Sequence, residues 1–119
     1  MLKKPNRLTS KFEFNITRKY GKKFSGNHFH LFYLFPKNYE GPTKVGIVIS
    51  NKFHKHAVKR NRVKRLFREI IRKQINTFSD NMWVVVHPKF QTINKTYGEI
   101  NTDFIKTLQK VSFPKKLGN

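Results

Sequence analysis

Apolar and polar side chains alternate most clearly over residues 27–35, where Phe29, Leu31, Tyr33 and Phe35 fall on one side and His28, His30, Phe32 and Leu34 on the other. A period of two predicts a strand, with one fully apolar face and one mixed face, ended by Pro36. Residues 44–50 are rich in β-branched side chains and predict a second strand. The Asn, Gly and Pro of 38–42 are turn residues, so the two strands are expected to pair as a hairpin. Residues 82–87, with Trp83 and three consecutive Val, read as a buried strand stopped by Pro88.

Helical spacing appears elsewhere. Ser10 and Glu13 have the capping-box arrangement, a hydroxyl before the first turn and a carboxylate three residues on, so a helix is expected to begin there and to stop at Gly21. Phe12, Ile16 and Tyr20 recur on one side of it and Phe14 and Arg18 on another, which gives this helix two faces to present. A long helix is predicted over 57–76. Thr96 and Glu99 repeat the capping-box spacing before a final helix, whose apolar stripe is Tyr97, Ile100, Phe104, Leu108 and Val111. Residues 114–119 read as a loose basic tail. Strands joined partly by a hairpin and partly through a helix predict an α+β sandwich, and 119 residues without repeats suit one domain spanning 1–119.

Charge sharpens this picture. Twenty-six Lys and Arg against six acids give a net charge of +20, which repels itself in a compact body until a polyanion neutralises it. Nucleic acid is therefore the expected partner. No apolar run approaches the roughly 18 residues of a spanning helix and no secretory signal opens the chain, so a cytoplasmic protein without a membrane partner is expected. Cysteine is absent, which excludes disulfides and cysteine-ligated zinc.

The basic character concentrates on the helix over 57–76. At about 100° per residue, Val63, Leu66, Phe67, Ile70 and Ile71, with Phe78 beyond, share one side. Asn61, Arg65, Arg68 and Arg72 fall opposite, flanked by Arg62 and Lys64. An ordinary solvated helix mixes its charges, but Glu69 is the only acid between Lys52 and Lys73. With i,i+4 compensation so sparse, phosphates are the natural relief, and the guanidinium fork can grip them in a bidentate way. Phe32, between His28 and His30 on its strand face, is a candidate for stacking on unpaired bases, which leans towards RNA; the alternative is that a helix covers it.

Catalytic chemistry is not evident in the side chains. His28 with His30 and His54 with His56 have spacings that suit a metal, yet neither pair has an acidic or sulfur ligand nearby, and no metal site is assigned. Glu13, Glu40, Glu69, Asp80, Glu99 and Asp103 are scattered singly, unlike the clustered carboxylates of a metal-dependent nuclease. There is no glycine-rich phosphate loop and no nucleophile with an evident base, so no catalytic residue is assigned either.

Lys52, Ala57 and then Arg60-Asn61-Arg62-Val63-Lys64-Arg65 with Arg68-Glu69 form a long and distinctive arrangement that resembles the signature helix of the bacterial ribonuclease P protein subunit. The likeness continues through Asn6-Arg7-Leu8, Phe14, Gly21, Phe29 to Leu34 and Val45-Gly46; beyond Trp83 it rests on element order. It implies an αβββαβα sandwich like domain 2 of ribosomal protein S5, with a left-handed βαβ crossover through the basic helix and a short extra strand over 22–25. It also implies a role. Such a subunit joins a catalytic RNA that, with magnesium held mainly by the RNA, removes the 5′ leader of precursor tRNA, and it has no obligate protein partner.

By the same resemblance, Lys52, Arg60, Asn61, Arg62, Lys64, Arg65 and Arg68, with the neighbouring Arg72, would face the catalytic RNA, and a cleft at Phe14, Arg18 and Phe32 would hold the single-stranded leader. The sequence departs from the family pattern at Arg18, where an aromatic is common, at Phe32, where Tyr is, at Asn51, where Lys is, and at His56, where a basic residue or Asn is usual. Three rivals stand beside this reading: a ribosomal structural RNA-binding protein, a duplex DNA regulator and a membrane-active cationic peptide.

Overall fold

The computed structural model describes residues 3–50 and 52–111, so Asn51 and the tail expected over 114–119 lie outside the described residues. The elements run α1 (Lys11–Tyr20), β1 (Lys22–Ser25), β2 (Phe29–Leu34), β3 (Lys44–Ile47), α2 (Ala57–Gln74), β4 (Trp83–Pro88) and α3 (Tyr97–Lys110). This is the order αβββαβα. Short 3-10 turns at Lys4–Asn6, Ile75–Thr77 and Phe90–Asn94 punctuate it.

The capping box at Ser10 forms in full: Ser10 Oγ accepts the Glu13 N–H at 3.1 Å and Glu13 Oε1 accepts the Ser10 N–H at 3.2 Å. Such a cap contributes about 1 kcal/mol to holding the first turn. Helix α1 ends at Gly21 in extended backbone, not in the left-handed region. Space is the reason for glycine here, because a Cβ would overlap the carbonyl oxygens of Thr17 and Tyr33 as the chain turns into β1. Of the Phe12, Ile16 and Tyr20 side, only Ile16 packs on the sheet, while Phe12 and Tyr20 are 66% and 63% exposed. The stripe that meets the sheet is narrow and centres on Thr17, which is fully buried because its hydroxyl donates to the Glu13 carbonyl at 2.8 Å.

The sheet order is β1-β2-β4-β3. The expected hairpin between β2 and β3 does not form, because β4 lies between them, antiparallel to β2 and parallel to β3. The sequence 83–86 explains the insertion: Val84 and Val86 enter the larger core with Val63, Phe67, Ile70, Ile71, Ile100 and Phe104, while Trp83 and Val85 enter a smaller one with Leu8, Phe14, Ile16 and Phe32. A strand apolar on both faces is most stable at the centre, where each buried valine contributes about 1.5 kcal/mol or more. Residues 35–43 therefore cross over β4 instead of making a tight turn. The parallel β3–β4 pair, Val45 to Val84 and Ile47 to Val86, is joined through α2 as a βαβ unit.

The strand at 22–25 is present as an edge, pairing Lys22 with Tyr33 and Ser25 with His30. Its sequence, Lys-Lys-Phe-Ser, buries little and carries no alternation that would announce it. The following turn is pinned by Asp103 of α3, whose carboxylate accepts the Asn27 and His28 N–H groups at 3.0 and 2.9 Å and lies 3.2 Å from His28 Nδ1. Helix α3 starts with the Thr96 hydroxyl accepting the Glu99 N–H, and buries the expected Ile100, Phe104, Leu108 and Val111.

Candidate nucleic-acid interface

Helix α2 is held by its underside. Val63, Phe67, Ile70 and Ile71 are fully buried, Leu66 and Phe53 pack at the margin, and Phe78 closes the core beyond the C-terminus. The opposite face turns Asn61, Arg65, Arg68 and Arg72 to solvent, with Arg62 exposed and Lys64 half-buried at its flanks. Burial of one face fixes the other.

The cations on that face are not equivalent. Arg60 donates to the His54 carbonyl, tying the helix start to the connector over 52–56, and Arg62 donates to the Ile93 and Lys95 carbonyls at 3.1 and 3.2 Å. Arg72 makes two hydrogen bonds to Glu69, at 2.6 and 3.1 Å, and that fork holds the Glu69 carboxyl below its usual range. Among the described residues, Lys52, Lys64, Arg65 and Arg68 make no side-chain hydrogen bond or ion pair. Of the side chains expected to face the catalytic RNA, these four are the charges left for an outside anion.

A groove runs between α1 and β3 beside this helix. One part, about 460 Å³, is lined by Lys11, Phe14, Asn15, Arg18 and Lys64 with Ile47 to Ile49 below. An adjoining part, about 320 Å³, shares Phe14 and Ile47 and adds Arg7, Gly46 and Arg68. Two of these four, Lys64 and Arg68, thus form the rim of the groove. Gly46 lets the Phe14 ring lie against the strand backbone, since a Cβ there would overlap Cε1 and Cζ of that ring.

Phe14, Arg18 and Phe32 belong to one side of the sheet. Phe14 and Phe32 share the smaller core, and Arg18 lines the groove with Phe14 while its guanidinium donates to Asn15 Oδ1 at 2.6 Å. Phe32 is half-buried, neither covered nor fully open; Lys23 Nζ sits 5.8 Å from its ring centre, and His87 meets it edge-on with centroids 5.4 Å apart. Burial, with Arg18, His30 and Lys23 nearby, pushes the His87 imidazole down to about 4, so it is neutral beside Phe32 at pH 7.

Arg7, Lys11, Asn15, Lys23 and His87 join this surface without having been assigned to it from the sequence. Lys11, Asn15 and Arg18 lie at i, i+4 and i+7, which is a face of α1 that a helical wheel drawn for polar residues reveals. His87 had no such signal, because its position follows from the β2–β4 register that pairs it with His30.

The donor set does not suit a metal ion. No three His, Asp or Glu side chains converge among the described residues. Glu13 is engaged by the Ser10 and Thr9 amides and by Lys44, Glu69 by Arg72, and Asp103 by the Asn27–His28 turn. His28 and His30 part company, the first to Asp103 and the second to Ser25 Oγ at 2.7 Å. No described helix is long and apolar enough to cross a membrane.

The family model described as Ribonuclease P matches residues 2–112. The chain is 31% identical to the ribonuclease P protein component of Finegoldia magna, over 89% of this chain and 90% of that protein. It is 34% identical to that of a Pseudanabaena species, over 92% and 94%. In fold it is similar to the RNase P protein of Thermotoga maritima in complex with 1-(4-fluorophenyl)-2-thiourea, with a TM-score of 0.76 at 23% identity, covering 89% of this chain and 100% of that one. The Staphylococcus aureus RNase P protein gives 0.77 at 21% identity, over 90% and 95%.

Proposed function

This chain belongs to the ribonuclease P protein family, and from that premise we propose that it binds the enzyme's catalytic RNA through α2 and holds the 5′ leader of precursor tRNA in the groove beside α1. As the protein subunit of ribonuclease P it serves tRNA processing and binds RNA. In this reading the RNA subunit carries the hydrolysis and holds magnesium, and the protein supplies charge and position, in the cytoplasm.

The observation that carries the proposal is the placement of Lys64 and Arg68, which belong at once to the outward part of α2 and to the rim of the groove. A polyanion lying on the helix and a single strand lying in the groove would share these charges, so the two RNAs are brought within one field. Arg65 lies outside the groove lining and serves the larger RNA alone. Phe14 and Phe32 offer rings for stacking, and Arg18 a cation that can stack or pair with phosphate. Arg60, Arg62 and Arg72, already engaged within the protein, hold the helix and its neighbours in place and offer their remaining N–H groups.

Reconstitution tests this directly. Precursor tRNA cleavage by the RNA subunit at low magnesium is expected to rise sharply when the protein is added, and to do so less for substrates without a leader. No stimulation, with RNA binding intact, would move the chain towards a purely structural role such as that of a ribosomal protein.

A further inference from the structure

A second aromatic surface lies away from the groove, at the start of α2. Phe90 is 63% exposed although it opens a well-anchored 3-10 turn. His54 lies nearly parallel to it, with ring centres 6.4 Å apart and planes 14° apart; Phe53 meets it at 5.9 Å and His56 extends the row 5.3 Å beyond His54. The rings are held in place. His54 Nδ1 accepts the His56 N–H at 3.0 Å, the His54 carbonyl accepts from Arg60, and Thr92 is buried behind Phe90 with its hydroxyl on the Lys89 carbonyl at 2.7 Å. Arg62 ties the same turn to α2 through Ile93 and Lys95.

We infer that Phe90, backed by His54 and Phe53, is a stacking platform for an unpaired base of an RNA partner, separate from the leader groove. An exposed ring in a protein of charge +20 has few apolar suitors, and its rim is cationic: Lys55, Lys59 and Arg60 all lie close enough to act on His54. A base brings its own phosphates, so the ring and the rim are satisfied by one ligand; an apolar protein surface would leave the lysines facing nothing. His54, accepting a hydrogen bond at Nδ1, is neutral, and burial with the adjacent His56 and lysines keeps it so by lowering its titration. A neutral ring adds area to the stack without repelling the rim.

The inference rests on the RNA-binding role proposed above, and the test separates the two. Wild-type protein is titrated with an adenosine RNA octamer and with the same octamer made abasic at every position, and Phe90→Ala and Phe90→Trp are compared. Loss of one base stack predicts that Phe90→Ala weakens octamer binding about five- to a hundredfold, leaves the abasic strand unchanged, and that Phe90→Trp restores binding with indole quenching beyond that of Trp83 in wild type. Equal binding of the octamer by wild type and Phe90→Ala, or octamer quenching in Phe90→Trp no greater than in wild type, would overturn the platform and leave the groove standing. If wild type binds neither strand, the RNA-binding reading falls and takes the platform with it.

Discussion

The ring of Phe14 rests on the backbone of Gly46, and no side chain can be accommodated between them. This contact sets the depth of the groove between α1 and β3. Gly46→Ala is expected to push the ring outward and to destabilise the fold by about 1–3 kcal/mol, the usual cost of overpacking. Denaturant unfolding measures the stability, and leader affinity should fall more than affinity for the catalytic RNA. Equal loss of both would mean that the groove is not where the leader lies.

Arg65 and Arg68 are exposed and free of side-chain partners among the described residues, so their replacement should leave folding intact. In Arg65→Ala with Arg68→Ala, the slope of log affinity for the catalytic RNA against log salt should fall by about 2, one for each lost phosphate contact. Binding measured from low to moderate salt provides the slope. An unchanged value in a folded double mutant would remove this face from the interface.

Asp103 is buried and receives two backbone N–H groups from the turn between β1 and β2. Asp103→Ala leaves both amides without their acceptor and is expected to cost about 3 kcal/mol, as charge-assisted hydrogen bonds of this kind do. Hydrogen exchange should show the Asn27 and His28 amides losing protection before the centre of the sheet does. Their continued protection would mean that the turn is held by other contacts.

Stability should decline with acid in a defined window. His87 is neutral in the folded protein, with its titration pushed down to about 4 by burial and by Arg18, His30 and Lys23, whereas an unfolded histidine titrates near 6.5. Between these values the unfolded chain binds more protons, so the free energy of unfolding falls as pH drops from about 6.5 to about 4 and is fully restored above that window. Glu13, where burial is outweighed by the Ser10 and Thr9 amides and by Lys44, is also lowered and adds a loss at still lower pH. His87→Leu should flatten the upper part of the curve; an unchanged slope would assign it to His30 or His54, which are shifted the same way.

Local features were the most legible in the sequence. The Ser10 and Thr96 caps, the apolar stripe of α3 and the two faces of α2 all depend on neighbours within a few residues, and all appear where the spacing puts them. Strand pairing did not follow, because the turn residues of 38–42 say that the chain bends and not which strand it meets. The partner was decided by β4, whose four apolar residues Trp83 to Val86 fill both cores at once. Strand β1 was legible only through family resemblance, since two lysines and a serine in an edge strand bury nothing periodic. The engagement of Arg60, Arg62 and Arg72 within the protein was equally hidden: a helical wheel gives direction, and the carbonyls of His54, Ile93 and Lys95 arrive from other segments.

The central position of β4 also bears on how the chain is made. On a ribosome, β2 emerges with only the short β1 beside it and β3 with no neighbouring strand, and the strand that links them follows only after the whole of α2. Until then two sheet edges and the apolar underside of a helix stay open, so the nascent chain must delay its collapse for most of its length. Its dense positive charge, which later meets phosphate, would meanwhile keep such half-built chains apart from one another.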